Sequence, residues 1–211
     1  MRRITLALLL FACLLWTGGI ILAEENAEDF LPVVAGMTLN FIHVVEHMDQ
    51  KDSSWVVKVV KNSFPESLTF TWVKKDKKGS EITGTRILTD IQYSRNFNPW
   101  FKKEEGKATN DTAPWLSVQV LKDLQEGRKS EKFREGGTGA INWAPASLTV
   151  KEQILFPVLI NGKAQALHAL KLNKGLIVWN NLKNPLVLEY EPLGIPLFTG
   201  ISGWKLVSIE Y

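Results

Sequence analysis

The fold is decided by Ile154-Leu-Phe-Pro-Val-Leu-Ile160, followed by the turn Asn161-Gly162-Lys163 and by Ala164-Gln-Ala-Leu-His-Ala-Leu-Lys-Leu172. Two apolar runs joined by Asn-Gly are the strongest short-range signal for a β-hairpin, because both central turn positions need a positive φ that these two residues tolerate. The stretch therefore predicts a hairpin. Pro157 cannot donate a hydrogen bond to a neighbouring strand, so its strand is expected at a sheet edge or to be bulged there.

Two further strand-like runs follow, Gly175–Trp179 and Pro185–Tyr190. The pairs Asn180-Asn181 and Asn184-Pro185 separate them and favour turns. Four short strands with tight connections predict an antiparallel meander between Glu152 and Glu191.

The rest of the chain repeats the strand pattern. The stretch from Thr38 to Met48 has a β pattern that places alternate residues, beginning with Leu39 and Phe41, on one face. From Ser67 to Val73 apolar residues alternate with polar ones, and the chain ends in the strand-like run Trp204–Tyr211. Gly84 interrupts a run from Glu81 to Ser94 and is expected to mark a bulge. About ten such runs predict a mainly β fold, an antiparallel β sandwich or a barrel or half-barrel, with one amphipathic helix packed on it.

The helix is predicted between residues 114 and 126. Asp111 or Thr112 can cap it, Pro114 suits its first turn, and Gly127 ends it. Leucine and valine recur at helical spacing within it, so one face should lie on the sheet: Leu116, Val120, Leu121 and Leu124. Residues 95–115, just before the helix, have little periodicity and are expected to form a long loop.

The N-terminus has the layout of an export signal. Arg2 and Arg3 precede the apolar run Ile4–Leu22, which ends at the small residue Ala23. Cleavage after Ala23 is favoured, and an uncleaved membrane anchor through residues 4–22 is the alternative. The predicted organisation is a signal peptide or anchor (1–23), a polar leader (24–36) and a single β-rich domain (37–211), exported to the periplasm or cell envelope.

Charge and cysteine content exclude several classes of function. Without Arg2 and Arg3 the chain keeps 23 basic residues against 22 acidic ones, so a nucleic-acid partner gains no support. The single cysteine, Cys13, lies in the export segment. The mature chain can therefore form no disulfide, thiol nucleophile or thiolate metal site.

The pattern His43-Val-Val-Glu46-His47 resembles the H-x-x-E-H motif of inverted zinc peptidases, which needs both histidines on one helical turn. The surrounding residues instead predict a strand, in which residues four apart lie about 13 Å from each other. Two bonds of about 2 Å to one zinc ion cannot span that distance. His168 lies alone in the apolar hairpin, and no nucleophile elbow or phosphate loop occurs, so we predict no catalytic residue, metal or cofactor.

Aromatic side chains near prolines are the candidates for contact with a ligand or partner: Trp100, Phe101, Trp115 and Trp143. Large amphipathic rings presented by loops favour apolar ligands and protein partners. The alternative is that these rings close the open end of the sandwich or barrel.

Three functions remain open at this point. The first is a non-catalytic, exported cell-envelope domain that binds a partner protein or an apolar or lipid ligand. The second is a small outer-membrane β-barrel, since Val207, Ile209 and Tyr211 alternate and end on an aromatic residue. The third is an exported hydrolase with a site that no motif reveals.

Overall fold

The computed structural model describes residues 31–44, 54–75, 80–99, 106–135, 145–191 and 203–211. The described part is mainly β, with one α-helix, α1 (Val118–Gln125), and a 3₁₀ turn at Asn173–Gly175. Its strands are β1 (Thr38–Val44), β2 (Ser54–Ser63), β3 (Ser67–Lys75), β4 (Glu81–Thr89), β5 (Asn96–Phe97), β6 (Lys107–Thr109), β7 (Ser130–Glu135), β8 (Ala146–Leu148), β9 (Val150–Ile160), β10 (Lys163–Leu172), β11 (Leu176–Trp179), β12 (Val187–Tyr190) and β13 (Gly203–Glu210).

The predicted hairpin is confirmed as β9 and β10. Its two turn residues, Asn161 and Gly162, have φ values of 48° and 76°, as a two-residue turn with both central positions left-handed requires. The meander is confirmed as well, because β9, β10, β11 and β12 pair in that order. β12 also pairs with β13, and β13 pairs with β9, so these five strands close into a small barrel.

The remaining strands extend this barrel into a larger sheet. The order continues from β13 through β1, β2, β3 and β4 to β6. Most pairs are antiparallel as predicted, but β9 with β13 and β4 with β6 are parallel. Two parallel strands need a long connection. For β9 and β13 this connection consists of the three strands β10, β11 and β12.

The predicted bulge at Gly84 is wrong. The register of β3 and β4 is unbroken, and Gly84 lies opposite Trp72. A Cβ atom at Gly84 would lie 2.5 Å from Cζ2 of Trp72. The glycine therefore makes room for the buried indole, a close approach that only a residue without a side chain allows.

The predicted start of the helix is also wrong. α1 begins at Val118, where the Ser117 hydroxyl accepts a hydrogen bond from the Val120 amide at 3.2 Å, and it ends before Gly127, whose φ is 74°. Pro114 and Trp115 belong instead to a β-like contact with Leu186. The Pro114 carbonyl accepts a hydrogen bond from the Val187 amide at 2.9 Å, so it is not available for a hydrogen bond within a helix.

The predicted long loop is wrong for two parts of residues 95–115, which form the short strands β5 and β6. β5 joins β7 and β8 in a second, three-stranded sheet. This small sheet covers aromatic residues of the large one: Phe97 lies 5.4 Å from Tyr190 and 5.8 Å from Trp204 between ring centroids. The core is therefore continuous from the small sheet into the barrel.

The N-terminal segment up to residue 30, with the predicted signal and cleavage site, lies outside the described residues. The described end of the predicted leader is packed: Val33 is buried, and its amide donates to the Lys183 carbonyl at 3.1 Å. Among the described residues, no helix has the length and apolar character needed to cross a membrane.

Candidate functional site

A fork in the sheet creates an apolar concavity among the described residues. β1 pairs with one edge of β13 from Gly203 to Glu210, with a register shift at Val207, so β9 and β12 share the other edge. β12 pairs at Trp204 and Lys205, whereas β9 pairs only at Ser208 and Ile209. β9 therefore diverges from β13 before Leu159, and a gap opens on the outer side of the barrel.

We call this gap the fork groove; its volume is about 300 Å³. Its walls are formed by Ile42, Pro157, Leu159, Ala164, Lys205 and Val207. Val158, Gln165 and Leu206 complete it. Because eight of these nine side chains are uncharged and all but Gln165 and Lys205 are apolar, the groove suits an apolar group.

Exposed apolar side chains surround the fork groove. Leu159 and Val207 are 41% and 39% exposed, and Leu155, on the same outer face of β9 but outside the groove, is 59% exposed. The alternate residues Phe156, Val158 and Ile160 are buried. β9 is thus apolar on both faces, although only one face contributes to the core.

Pro157 lies on the part of β9 that does not pair with β13. Ile160 and Lys163 flank a two-residue turn and form a hydrogen-bonded pair, so alternation makes the Pro157–Ala166 pair a non-hydrogen-bonded one. The missing N–H of Pro157 therefore faces the gap, where β13 has already stopped pairing. A proline at this position disfavours the addition of a strand at the gap. The predicted sheet edge is wrong for the strand as a whole, because β9 lies between β10 and β13, but Pro157 lies on the part of β9 that does not pair with β13.

Lys205 is the one charged residue that lines the groove. Its Nζ lies 5.5 Å from the ring centroid of Phe156 and 3.4 Å from Oε2 of Glu189, its neighbour across β12 and β13. Its side chain is 43% exposed. The groove therefore has an apolar body and a single cationic wall position that an acidic side chain already approaches.

A second concavity of about 370 Å³ lies between the β2–β3 turn and the start of α1. Phe64, Pro65 and Leu182 line it together with the polar residues Asn62 and Lys183. The Asn62 amide group donates to the Val33 carbonyl at 2.7 Å, so this cleft is braced by contacts within the chain. Its mixed lining makes it a weaker candidate for an apolar ligand.

The buried polar groups form a structural unit that we call the polar seam: Asp111–Ser117 with Arg86 and Asn184. Arg86 is 1% exposed and pairs with the Asp111 carboxylate. Asp111 also accepts from the amides of Asn98 at 3.0 Å and Thr112 at 2.7 Å. Burial raises the pKa of Asp111, and the Arg86 guanidinium and the amides act against this rise. Each carboxylate oxygen is thus engaged within the chain, which is the arrangement of a structural ion pair.

A second polar link joins the small sheet to the barrel. The Tyr190 hydroxyl donates to the Glu135 carboxylate. Burial raises the pKa of Glu135, although the Tyr190 hydrogen bond and Lys174 oppose the rise, and burial also raises the pKa of Tyr190 above its usual range. A tyrosine with a raised pKa is harder to ionise, so this pair is better suited to a structural hydrogen bond between the two sheets than to proton abstraction.

The zinc-like pattern lies only partly within the described residues. His43 lies in β1, as the strand prediction requires, and its ring stacks 6.4 Å from Trp55. Burial, and then nearby Lys74, lowers the pKa of His43. Glu46 and His47 lie outside the described residues, and His168 is exposed on β10. Within the described ranges, no group of three or more histidine, cysteine or acidic residues could hold a metal ion.

Of the four predicted contact residues, Trp100, Phe101 and Trp143 lie outside the described residues. Trp115 is completely buried in the polar seam, where its Nε1 donates to Oδ1 of Asn184 at 2.9 Å and its ring lies 5.5 Å from that of Phe70. This is the packing role that the sequence analysis held as the alternative. Ligand contact by the other three stays a prediction.

Sequence reasoning missed the residues of the fork groove. A signal for them exists, because Ile154–Ile160 is apolar at every position, whereas a strand that buries one face needs only alternate apolar residues. The divergence of β9 from β13 has no local signal. It depends on β12 and β9 meeting the same edge.

Comparisons of the chain with protein-family models, with curated proteins and with solved structures find no match.

Proposed function

We propose that the protein is an exported, non-catalytic β-rich domain of the cell envelope that binds an apolar ligand, or an apolar side chain of a partner protein, in the fork groove. The observation that supports this most is the groove itself, a concavity of about 300 Å³ that is almost entirely apolar and open to solvent. If β9 contributed only to the core, its solvent-facing side chains would be expected to be polar.

The energetics favour a binding role. Each methylene group transferred from water into an apolar site contributes about 0.8 kcal/mol. Leu159 and Val207 would become buried together with the ligand, and contiguous exposed apolar surfaces of this kind often mark interaction sites. Because Leu159 and Val207 stay partly exposed in the folded chain, the free energy of burying them is gained only when a ligand or partner covers them.

The test uses a charged substitution inside the groove and the same substitution beside it. Leu159→Glu places a carboxylate in the groove, whereas Leu155→Glu places one on the same strand and the same outer face, outside the groove. The neutral probe 1-decanol is titrated into each protein by calorimetry. We expect Leu159→Glu to weaken binding at least about tenfold, because the apolar wall is replaced by a charged group that would have to lose hydration when the hydrocarbon chain covers it. We expect Leu155→Glu to change binding less than about twofold.

Equal binding by both variants, or no saturable binding by the unaltered protein, would reject the groove as the site. Export is tested separately, by fractionating cells and sequencing the N-terminus of the mature protein. A start at Glu24 supports cleavage after Ala23, and an intact N-terminus in the membrane fraction supports the anchor.

The other two functions have tests of their own. The outer-membrane barrel requires a mature chain that is insoluble without detergent. The hydrolase requires a turnover that is lost when His43, His47 or His168 is replaced by alanine while folding is retained.

A further inference from the structure

The position of Lys205 narrows the class of ligand. Its ammonium group lies at the wall of an otherwise uncharged groove, between the ring of Phe156 and the carboxylate of Glu189. The Lys205–Glu189 contact at 3.4 Å is longer than a good charge-assisted hydrogen bond of about 2.8 Å, and both side chains are partly exposed. Such a pair is worth little, so another anion can compete with Glu189 for the lysine.

We infer that the fork groove binds an anionic amphiphile of the fatty-carboxylate class, with its hydrocarbon chain in the groove and its carboxylate at Lys205. This inference rests on the proposed function and adds the charge of the ligand to it. The apolar walls accept the chain, and the one cation at the wall complements the head group. A volume of about 300 Å³ lies at the lower end of the range for ligand pockets, which suits a chain of medium length.

Two other occupants fit the groove less well. An extended peptide added to the edge of β9 would need a hydrogen-bond donor at residue 157, and proline supplies none. A second copy of this chain would bring its own Lys205–Glu189 pair, which has no net charge, and would therefore supply no additional anion for Lys205. Both occupants remain outcomes of the test below.

The experiment compares decanoate with neutral 1-decanol, using protein purified in the form that its own cells export. Three single variants are measured: Lys205→Gln, Glu189→Gln and the control Lys151→Gln, which removes an exposed lysine from β9 outside the groove. The ratio of the two dissociation constants isolates the contribution of the carboxylate, because the chain is the same length in both probes.

We expect two changes in opposite directions. Lys205→Gln should weaken decanoate binding about threefold, and Glu189→Gln should strengthen it by a similar factor by releasing Lys205, because partly exposed ion pairs have effects of this size. Binding of 1-decanol should stay unchanged in Glu189→Gln, whose side chain does not line the groove. Lys205→Gln alters the groove wall, so its effect is measured as a rise in the ratio of the decanoate to the 1-decanol dissociation constant. Lys151→Gln should leave both probes unaffected, and the decanoate effects should shrink at high salt.

Three outcomes would overturn the inference. If 1-decanol binds but decanoate shows no dependence on Lys205 and Glu189, the fatty-carboxylate assignment fails while the proposed function stands. If neither probe binds saturably, both fail. If light scattering shows a dimer that Leu159→Glu dissociates and Leu155→Glu does not, the groove is covered by a second copy and takes no lipid.

Discussion

The polar seam and the fork groove place polar and apolar groups in opposite ways. In the seam, Arg86, Asp111 and the Trp115 indole are buried, and the chain itself supplies their hydrogen-bond partners. In the groove, Leu159 and Val207 are exposed, and the described residues leave them open to solvent. The comparison separates two purposes: buried polar groups fix how the parts of the chain meet, whereas exposed apolar groups are suited to an outside partner.

Two consequences distinguish the regions. A substitution in the seam should reduce stability because its partner stays buried, and it should leave binding in the folded fraction unchanged. A substitution in the groove should reduce binding and leave stability almost unchanged, because the groove contributes little to the core.

The largest effect is expected for Arg86→Met. It removes the guanidinium and leaves the Asp111 carboxylate buried without its cation, which costs about 3–5 kcal/mol of unfolding free energy. The measurement is urea-induced unfolding. The double variant Arg86→Met/Asp111→Asn removes the remaining charge and keeps an acceptor for the Asn98 and Thr112 amides, so it should be more stable than the single variant by about 1 kcal/mol or more. Strict additivity of the two substitutions would contradict the coupled pair.

A smaller effect is expected for Trp115→Phe. This change deletes the 2.9 Å hydrogen bond to Asn184 and leaves a buried acceptor unsatisfied, at a cost of about 1–3 kcal/mol. Trp204→Phe is the matched control, because its indole is equally buried but its hydrogen bond to the Val187 carbonyl is longer, at 3.4 Å. If thermal unfolding shows the two variants equally destabilised, the seam hydrogen bond is not what holds Trp115.

These two regions also differ in what the sequence reveals. The barrel hairpin is predictable because Asn161-Gly162 specifies its turn and the flanking apolar residues specify its strands, all within 20 residues of each other. The Arg86–Asp111 pair is not, because it depends on β6 lying beside β4 and on Asn98 approaching from β5. The start of the helix is not predictable from the sequence for the same reason. The backbone at Pro114 and Leu116 pairs with Pro185 and Val187, and this long-range contact overrides the local capping signals.

The hydrogen bond between Tyr190 and Glu135 predicts a smaller effect, a change of folding stability with pH. Burial raises the pKa of Glu135 in the folded protein, so the folded state binds this proton more tightly than the unfolded state does. Its contribution to stability is therefore present below the unfolded pKa and is lost as the pH rises through the folded pKa. Glu135→Gln removes this titration and keeps an acceptor for the Tyr190 hydroxyl.

The check is the melting temperature of both proteins between pH 4 and pH 8. Relative to the unaltered protein, Glu135→Gln should gain stability as the pH rises. A difference that does not change with pH, or that changes in the opposite direction, would contradict the raised pKa.

The smallest stability effects are expected in the groove. Leu155→Glu and Leu159→Glu lie on the outer face of β9 at 59% and 41% exposure, so each should change the unfolding free energy by no more than about 1 kcal/mol. Chemical denaturation measures this directly. A loss above about 2 kcal/mol for Leu159→Glu would place this side chain in the core and would remove the contrast with the seam.

The most direct test of the fork groove as an apolar binding site is a titration of 1-decanol into the ¹⁵N-labelled protein, followed by amide chemical shifts. The account predicts saturable shifts that are largest at Ile42, Leu159, Ala164 and Val207, with the amides of the polar seam unmoved. Shifts that are centred on Phe64 and Leu182 in the second cleft, or that grow linearly without saturation over the whole surface, would contradict it.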